Sequence, residues 1–230
     1  MFGGVGSGIY GGSRGLYGTL ANYGTLNLTV ASPPQSFVEP LTLDDVKRYI
    51  GLPERSPLDA EEDLQLESMI TAARGQAEIL QGRDLVRKQW DLSLDFWIDY
   101  FFQLRSPLAS VDLFTLRDST GGYTTLVENK DYIVDTLKDP GVVAPPYNTM
   151  WPVFTPWPSS AILIRFTSGF AADSIWWKAG DGDRIKNGMR LLISNWFSGR
   201  LPFEQGIDPA KEYPFGLTAC LSQGAIRHVA

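Results

Sequence analysis

Apolar residues recur along this chain with two different periods, and the switches between them divide it into elements. Leu43, Val46 and Ile50 mark one face of a short helix over 42–51. Thr42 followed three residues on by Asp45 is a capping box, and Gly51 supplies the left-handed stop. A longer helix is predicted over 57–81. Ser56, Pro57 and Asp59 are its start signals, and Glu61, Glu62 and Asp63 fall in the early turns, where the helix dipole favours anions. Leu66, Met69, Ile70, Ala73, Ala77 and Leu80 then share one face, and Gly82 ends the run. From residue 87 the period changes to two. Trp90, Leu92, Leu94, Phe96 and Ile98 alternate with Asp91, Ser93, Asp95, Trp97 and Asp99, as in a half-buried strand. Further strands are predicted at 111–117, 123–127, 132–134 and 161–166, separated by turn residues such as Gly121 and Gly122. The six prolines between 139 and 158 favour an irregular loop. A third helix is predicted over 183–200, with Ile185, Met189, Leu192, Ile193, Trp196 and Phe197 on one side. Helices, then strands, then a helix give an α+β fold: a helical bundle with an antiparallel β subdomain inserted at about 87–170. No repeat period is present.

The two ends of the chain break this pattern. Residues 1–36 read as an extended arm: the first 35 positions hold nine glycines, Tyr10, Tyr17 and Tyr23, and a single charge, Arg14. Glycine offers little to bury and the most backbone entropy to lose. Ordering such an arm costs roughly 1–2 kcal/mol per residue, so a partner surface is expected to hold it. Removing residues 1–35 is accordingly expected to leave the fold intact and to weaken assembly. Residues 201–230 form a tail with Pro202, Pro209 and Pro214 and an apolar stretch at 217–221. The adjacent Trp176 and Trp177, in a presumed loop, do not both face one core easily, so one of them is expected to meet a partner chain. Candidate partner-facing residues are therefore Tyr10, Tyr17, Tyr23, Trp176, Trp177, Phe203, Phe215, Leu217 and Leu221.

Composition narrows the chemistry. Twenty basic against 26 acidic residues give a net charge of −6, which argues against a surface that wraps phosphate. One cysteine, Cys220, leaves no internal disulfide and no cysteine-based metal site. No apolar run is long enough to span a bilayer, no signal-peptide pattern opens the chain, and Phe2 is not a myristoylation glycine. Gly6, Gly8 and Gly11 match the dinucleotide fingerprint in letters only, since no strand precedes them and no helix follows. The sole histidine, His228, sits three residues from the C-terminus, a poor place for a general base. Asp181 and Asp183 are expected to cap the third helix rather than hold a cation. No catalytic, metal or cofactor residue is assigned. The aromatic loop MWPVFTPWP at 150–158 admits a carbohydrate-binding or hydrolytic module as an alternative, although cores and subunit interfaces use the same residues more often.

The order of landmarks adds a resemblance. TLDDVKRYIGL is followed by DLQLESMITAARGQAEILQGRDL, a strand opening near Lys88-Gln89-Trp90, LRSPLASVDLFTLRDSTGGYTTLVENKDYIVD, ILIRFTSGF and IKNGMRLLISNWFSGR. Over roughly residues 37–200 this series resembles the head–tail connector (adaptor) proteins of tailed bacteriophages, including those of gene transfer agents. The Gly-rich arm has no counterpart in the resemblance. What the resemblance implies is a non-enzymatic ring, commonly of twelve copies, made in the host cytoplasm and mounted under the portal in the virion neck. Its implied partners are other copies of itself, the portal protein and a neck, stopper or tail protein. Genomic DNA would pass through the channel without sequence-specific binding, and no membrane is involved. Another structural neck or tail-completion protein is a further alternative.

Overall fold

A computed structural model describes residues 38–52, 60–97, 102–198 and 220–225, and the backbone of 24–28. The predicted start signals Ser56, Pro57 and Asp59 lie outside the described residues.

Helix α1 (Leu43–Ile50) begins as its sequence dictates. Thr42 accepts from the Asp45 backbone N–H at 3.1 Å while Asp45 accepts from the Thr42 N–H at 3.4 Å. Gly51 closes it at φ 74°. Helix α2 (Ala60–Gln81) buries Leu66, Ile70, Ala73 and Ala77, four of the residues on the predicted face, with Met69 and Leu80 packed alongside. Helix α3 runs Gly180–Ser198 and starts three residues before the predicted position, so Asp181 and Asp183 sit inside its first turn rather than before it. Val46, Leu66, Ile70, Leu85, Ile185, Met189, Leu192 and Ile193 form the core shared by the three helices. Lys47 pairs with Asp63 to tie α1 to α2.

The β subdomain follows α2 directly. Its strands are β2 (Lys88–Leu94), β3 (Phe102–Gln103), β4 (Leu108–Arg117), β5 (Tyr123–Thr125), β6 (Ile133–Asp135), β7 (Val142–Ala144) and β8 (Ile162–Ser168). Strands β4, β5, β6 and β8 match predicted runs, and the long β4 carries two register shifts against β8. The loop expected at 139–158 contains a strand, β7, which joins β3 and β6 in a small second sheet. Phe96, predicted as an inward strand residue, lies past the end of β2 and is exposed. A second core, built on Leu92, Leu94, Phe114, Leu116, Ile162, Ile164 and Phe166, fills the inner face of the sheet.

The arm is where the structure departs most from expectation. Gly24–Leu28 forms a strand, β1, antiparallel to β2 over five register pairs from Gly24↔Leu94 to Leu28↔Trp90. The main sheet is therefore five-stranded, in the order β1-β2-β8-β4-β5, with part of the supposed arm as its edge. The pairing supplies backbone hydrogen-bond partners that composition alone did not reveal.

Candidate interfaces and the buried polar seam

The helical and β cores meet at the turn QGRDLVRK between α2 and β2, and their junction is ionic. Arg74 and Glu78, one helical turn apart, bond at 3.0 Å, and Arg74 also grips Glu39 ahead of α1 at 2.9 Å. The Glu78 carboxylate further accepts from the Leu85 backbone N–H and from Lys88. Asp84, with no exposed surface, takes a two-pronged bond from Arg105 at 2.8 Å on each oxygen. Its second oxygen also accepts from the Trp90 indole N–H at 3.0 Å and from the Ser168 hydroxyl. The Arg105 guanidinium lies 4.1 Å over the Trp90 ring. Gly169, at φ 95°, lets β8 leave the sheet against Val86: a Cβ there would meet the Val86 carbonyl oxygen at 2.0 Å. Every carboxylate of this seam is held by donors from at least two neighbours. Such an arrangement joins helix to sheet rather than presenting an acid or base to a substrate.

Outside the seam, the solvent face of the sheet is also tied by carboxylates. Arg165 makes a two-pronged pair with Asp91 at 2.7 and 2.9 Å, and that bond raises the guanidinium pKa despite burial. Asp112 accepts from Thr167 and Ser110 hydroxyls at 2.7 Å and from the Gln89 amide at 2.9 Å. Burial pushes the Asp112 carboxyl up, but these donors and Arg165 outweigh it and hold it below the usual carboxylate range.

The sequence-predicted interface residues divide into two groups. Tyr10, Tyr17, Tyr23, Phe203, Phe215 and Leu217 lie outside the described residues. Trp176, Trp177 and Leu221 are placed, and all three pack inside the chain. Trp176 stacks on Phe170 with ring centres 3.9 Å apart, and Trp177 is 4% exposed beneath it. The presumed loop is a short 3-10 helix (Ile175–Lys178). Its three residues per turn set neighbouring side chains about 120° apart, which lets both rings reach one core. Leu221 is 1% exposed in the helical core.

Among the described residues, 220–222 are helical and 223–224 turn, and this segment sits against the end of α2 and against α3. Gln81 donates to the carbonyl of Leu221, Arg83 to that of Gly224 at 2.7 Å, and Arg184 to those of Cys220 and Gln223. Gly188 of α3 forms the notch for Leu221: a Cβ there would lie 2.6 Å from the leucine Cδ2.

The tryptophans of the aromatic loop are also engaged. Trp151 is buried and stacks on Trp97 with centres 4.7 Å apart, and the Arg117 guanidinium covers one face of Trp157 at 4.1 Å. Apolar side chains that face solvent include Leu64 and Ile79 on α2, Ile175, and Leu137, Tyr147, Met150 and Val153 on the β subdomain. Of these, Met150 and Val153 belong to the loop singled out at 150–158, and sequence reasoning missed the others. The one usable signal was on α2, which carries more apolar residues than its buried stripe needs. Among the described residues no group of three or more His, Cys, Asp or Glu is placed to hold a metal ion. None of the helices described is long and apolar enough to cross a membrane.

No protein-family model matches the chain, and no curated protein matches it either. Solved structures do. A chain from the neck of an empty gene transfer agent (GTA) particle, computed with C6 symmetry, superposes at a TM-score of 0.65 and 23% identity, covering 90% of this chain and 97% of its own. A chain from the virion of the native GTA particle gives 0.64 and 22%, covering 89% and 97%. One from the neck of the native particle, computed with C12 symmetry, gives 0.63 and 21%, covering 90% and 97%. Over nearly its whole length, this chain has the fold of a protein of the gene transfer agent particle.

Proposed function

We propose that the protein is a structural head–tail connector (adaptor) subunit of a tailed phage or phage-like particle. Copies of it form a ring, of twelve subunits on the symmetry of the similar native neck, located in the virion neck beneath the portal. The ring extends the DNA channel and gives the next neck or tail protein its docking platform, and the protein acts without catalysis. The observation that carries this reading is the two-way coverage: neck chains match 90% of this chain and 97% of their own, so the likeness is not confined to a common submotif. The engaged carboxylates of the seam suit a rigid building block. A net charge of −6 suits a wall past which a polyanion slides without adhering. A closed ring requires each subunit to offer two different complementary faces, and solvent-facing Leu64, Ile79, Tyr147, Met150 and Val153 lie on both the helical and β parts.

Cryo-EM of intact particles, with native mass spectrometry of the protein mixed with its portal, tests the proposal. The expected result is a high-order ring at the neck. A protein that stays monomeric and is absent from particles would refute it.

A further inference from the structure

The seat of residues 220–225 resembles a receptor holding a ligand more than a continuation of the fold. Among the described residues, polar attachment runs from Gln81, Arg83 and Arg184 side chains to main-chain carbonyls, and Leu221 supplies the buried apolar contact in the Gly188 notch. No strand ladder or shared helix fixes which copy of the chain supplies the turn. The length of the connecting chain matters here. Gly188 lies ten residues before the end of α3, so the path back from Ser198 to the notch is about 15 Å at the helical rise. Residues 199–219 span roughly 70 Å when extended, several times that distance.

We propose that in the assembled ring the α2–α3 groove receives the 220–225 turn of the adjacent copy. In the isolated chain the same groove holds its own turn. The exchange gives each subunit a donor face, the turn, and an acceptor face, the groove. That is the heterologous pairing a closed ring demands. Each copy keeps the same contacts, so the swap conserves the interactions of the seat, and it links neighbours in series. This inference rests on the ring reading.

The test uses the full chain and its native Cys220, which is partly accessible and adjoins Gly188. Asn187→Cys, at an exposed position of α3, is bridged to Cys220 with a short bismaleimide, once in the free protein and once in purified rings or particles. Free protein should give a cross-link within one chain. Rings should give a ladder at multiples of the subunit mass, with at least a tenfold loss of the intrachain product. A second variant, Arg83→Cys with Gln223→Cys in a Cys220→Ser background, reads the other side of the groove and covers failure of the first to fold. Rings that yield only intrachain links would overturn the exchange and leave the connector reading standing. A chain that enters no ring would overturn both.

Discussion

Asp84 illustrates what one buried charge does here. It has no solvent contact, and Arg105, Trp90 and Ser168 all donate to it. Asp84→Asn keeps the shape but takes from the Arg105 guanidinium the carboxylate that grips it, while Lys88 keeps its pairing with Glu78. Breaking a buried pair from one side costs about 3–5 kcal/mol, and the partial exposure of Arg105 puts this variant at the lower end. The comparable change at an exposed pair, Asp181→Asn opposite Arg184, should cost at most about 1 kcal/mol. Urea denaturation of the two variants side by side checks the contrast; equal midpoints would show that the seam carries no special weight. Asp112 supports a second expectation. Its folded pKa lies below that of an unfolded aspartate, about 3.9. Its contribution to stability is therefore complete above that value and is lost as the pH falls through the lower, folded one. Asp112→Asn should flatten the acid limb of the melting-temperature profile below about pH 4 and leave the slope near neutrality alone. Parallel acid limbs for variant and parent would contradict this.

Among the elements, those carried by a long repeat or bounded by clear turn residues were legible, and the rest were not. The capping box at Thr42 and Asp45 is local chemistry and folded as read. Thr42→Ala should accordingly cost about 1 kcal/mol, within a range of about 0.5–2. Chemical denaturation gives the number, and no change at all would mean that packing of Val46 and Leu41 sets this helix end. The buried face of α2 was equally legible because its apolar positions recur from Leu66 to Leu80, about four turns. Strand β7 was masked by the prolines on both sides of it, and the two-residue β3 shows no period; β5 and β6, each of three residues, were legible from the turn residues around them. Strand β1 was hidden differently. Leu26 and Leu28 alternate with polar residues, but glycine and tyrosine dominate the composition around them, and pairing to β2 is a long-range fact. Trp176 and Trp177 were read as loop residues because nothing local marks the 3-10 turn that brings both rings to one core. The groove for residues 220–225 left no local trace either. Gln81 and Arg83 lie about a hundred residues before Arg184 and Gly188, and only the fold brings the two pairs together.

At the scale of the whole molecule, the N-terminal segment is not one uniform arm. Gly24–Leu28 belongs to the sheet and covers the outer edge of β2, whereas residues 1–23 precede it. Deleting 1–23 retains the strand and should leave the melting temperature unchanged; the proposed docking role then predicts that such chains enter particles poorly. Deleting 1–35 removes β1 as well. Five register pairs at about 0.2–1 kcal/mol each give a loss of roughly 1–5 kcal/mol, and the bared edge of β2 becomes a template for unwanted pairing. The longer deletion should thus melt earlier and self-associate in light scattering, contrary to the simple arm suggested by composition. Comparing the two deletions distinguishes the functions, because a defect shared equally by both must come from residues 1–23. A loss of stability already complete in the shorter deletion would instead place the structural contribution ahead of Gly24. Particle incorporation measured on the same two proteins then reports on docking without confusion from unfolding, since the shorter one keeps its sheet edge closed.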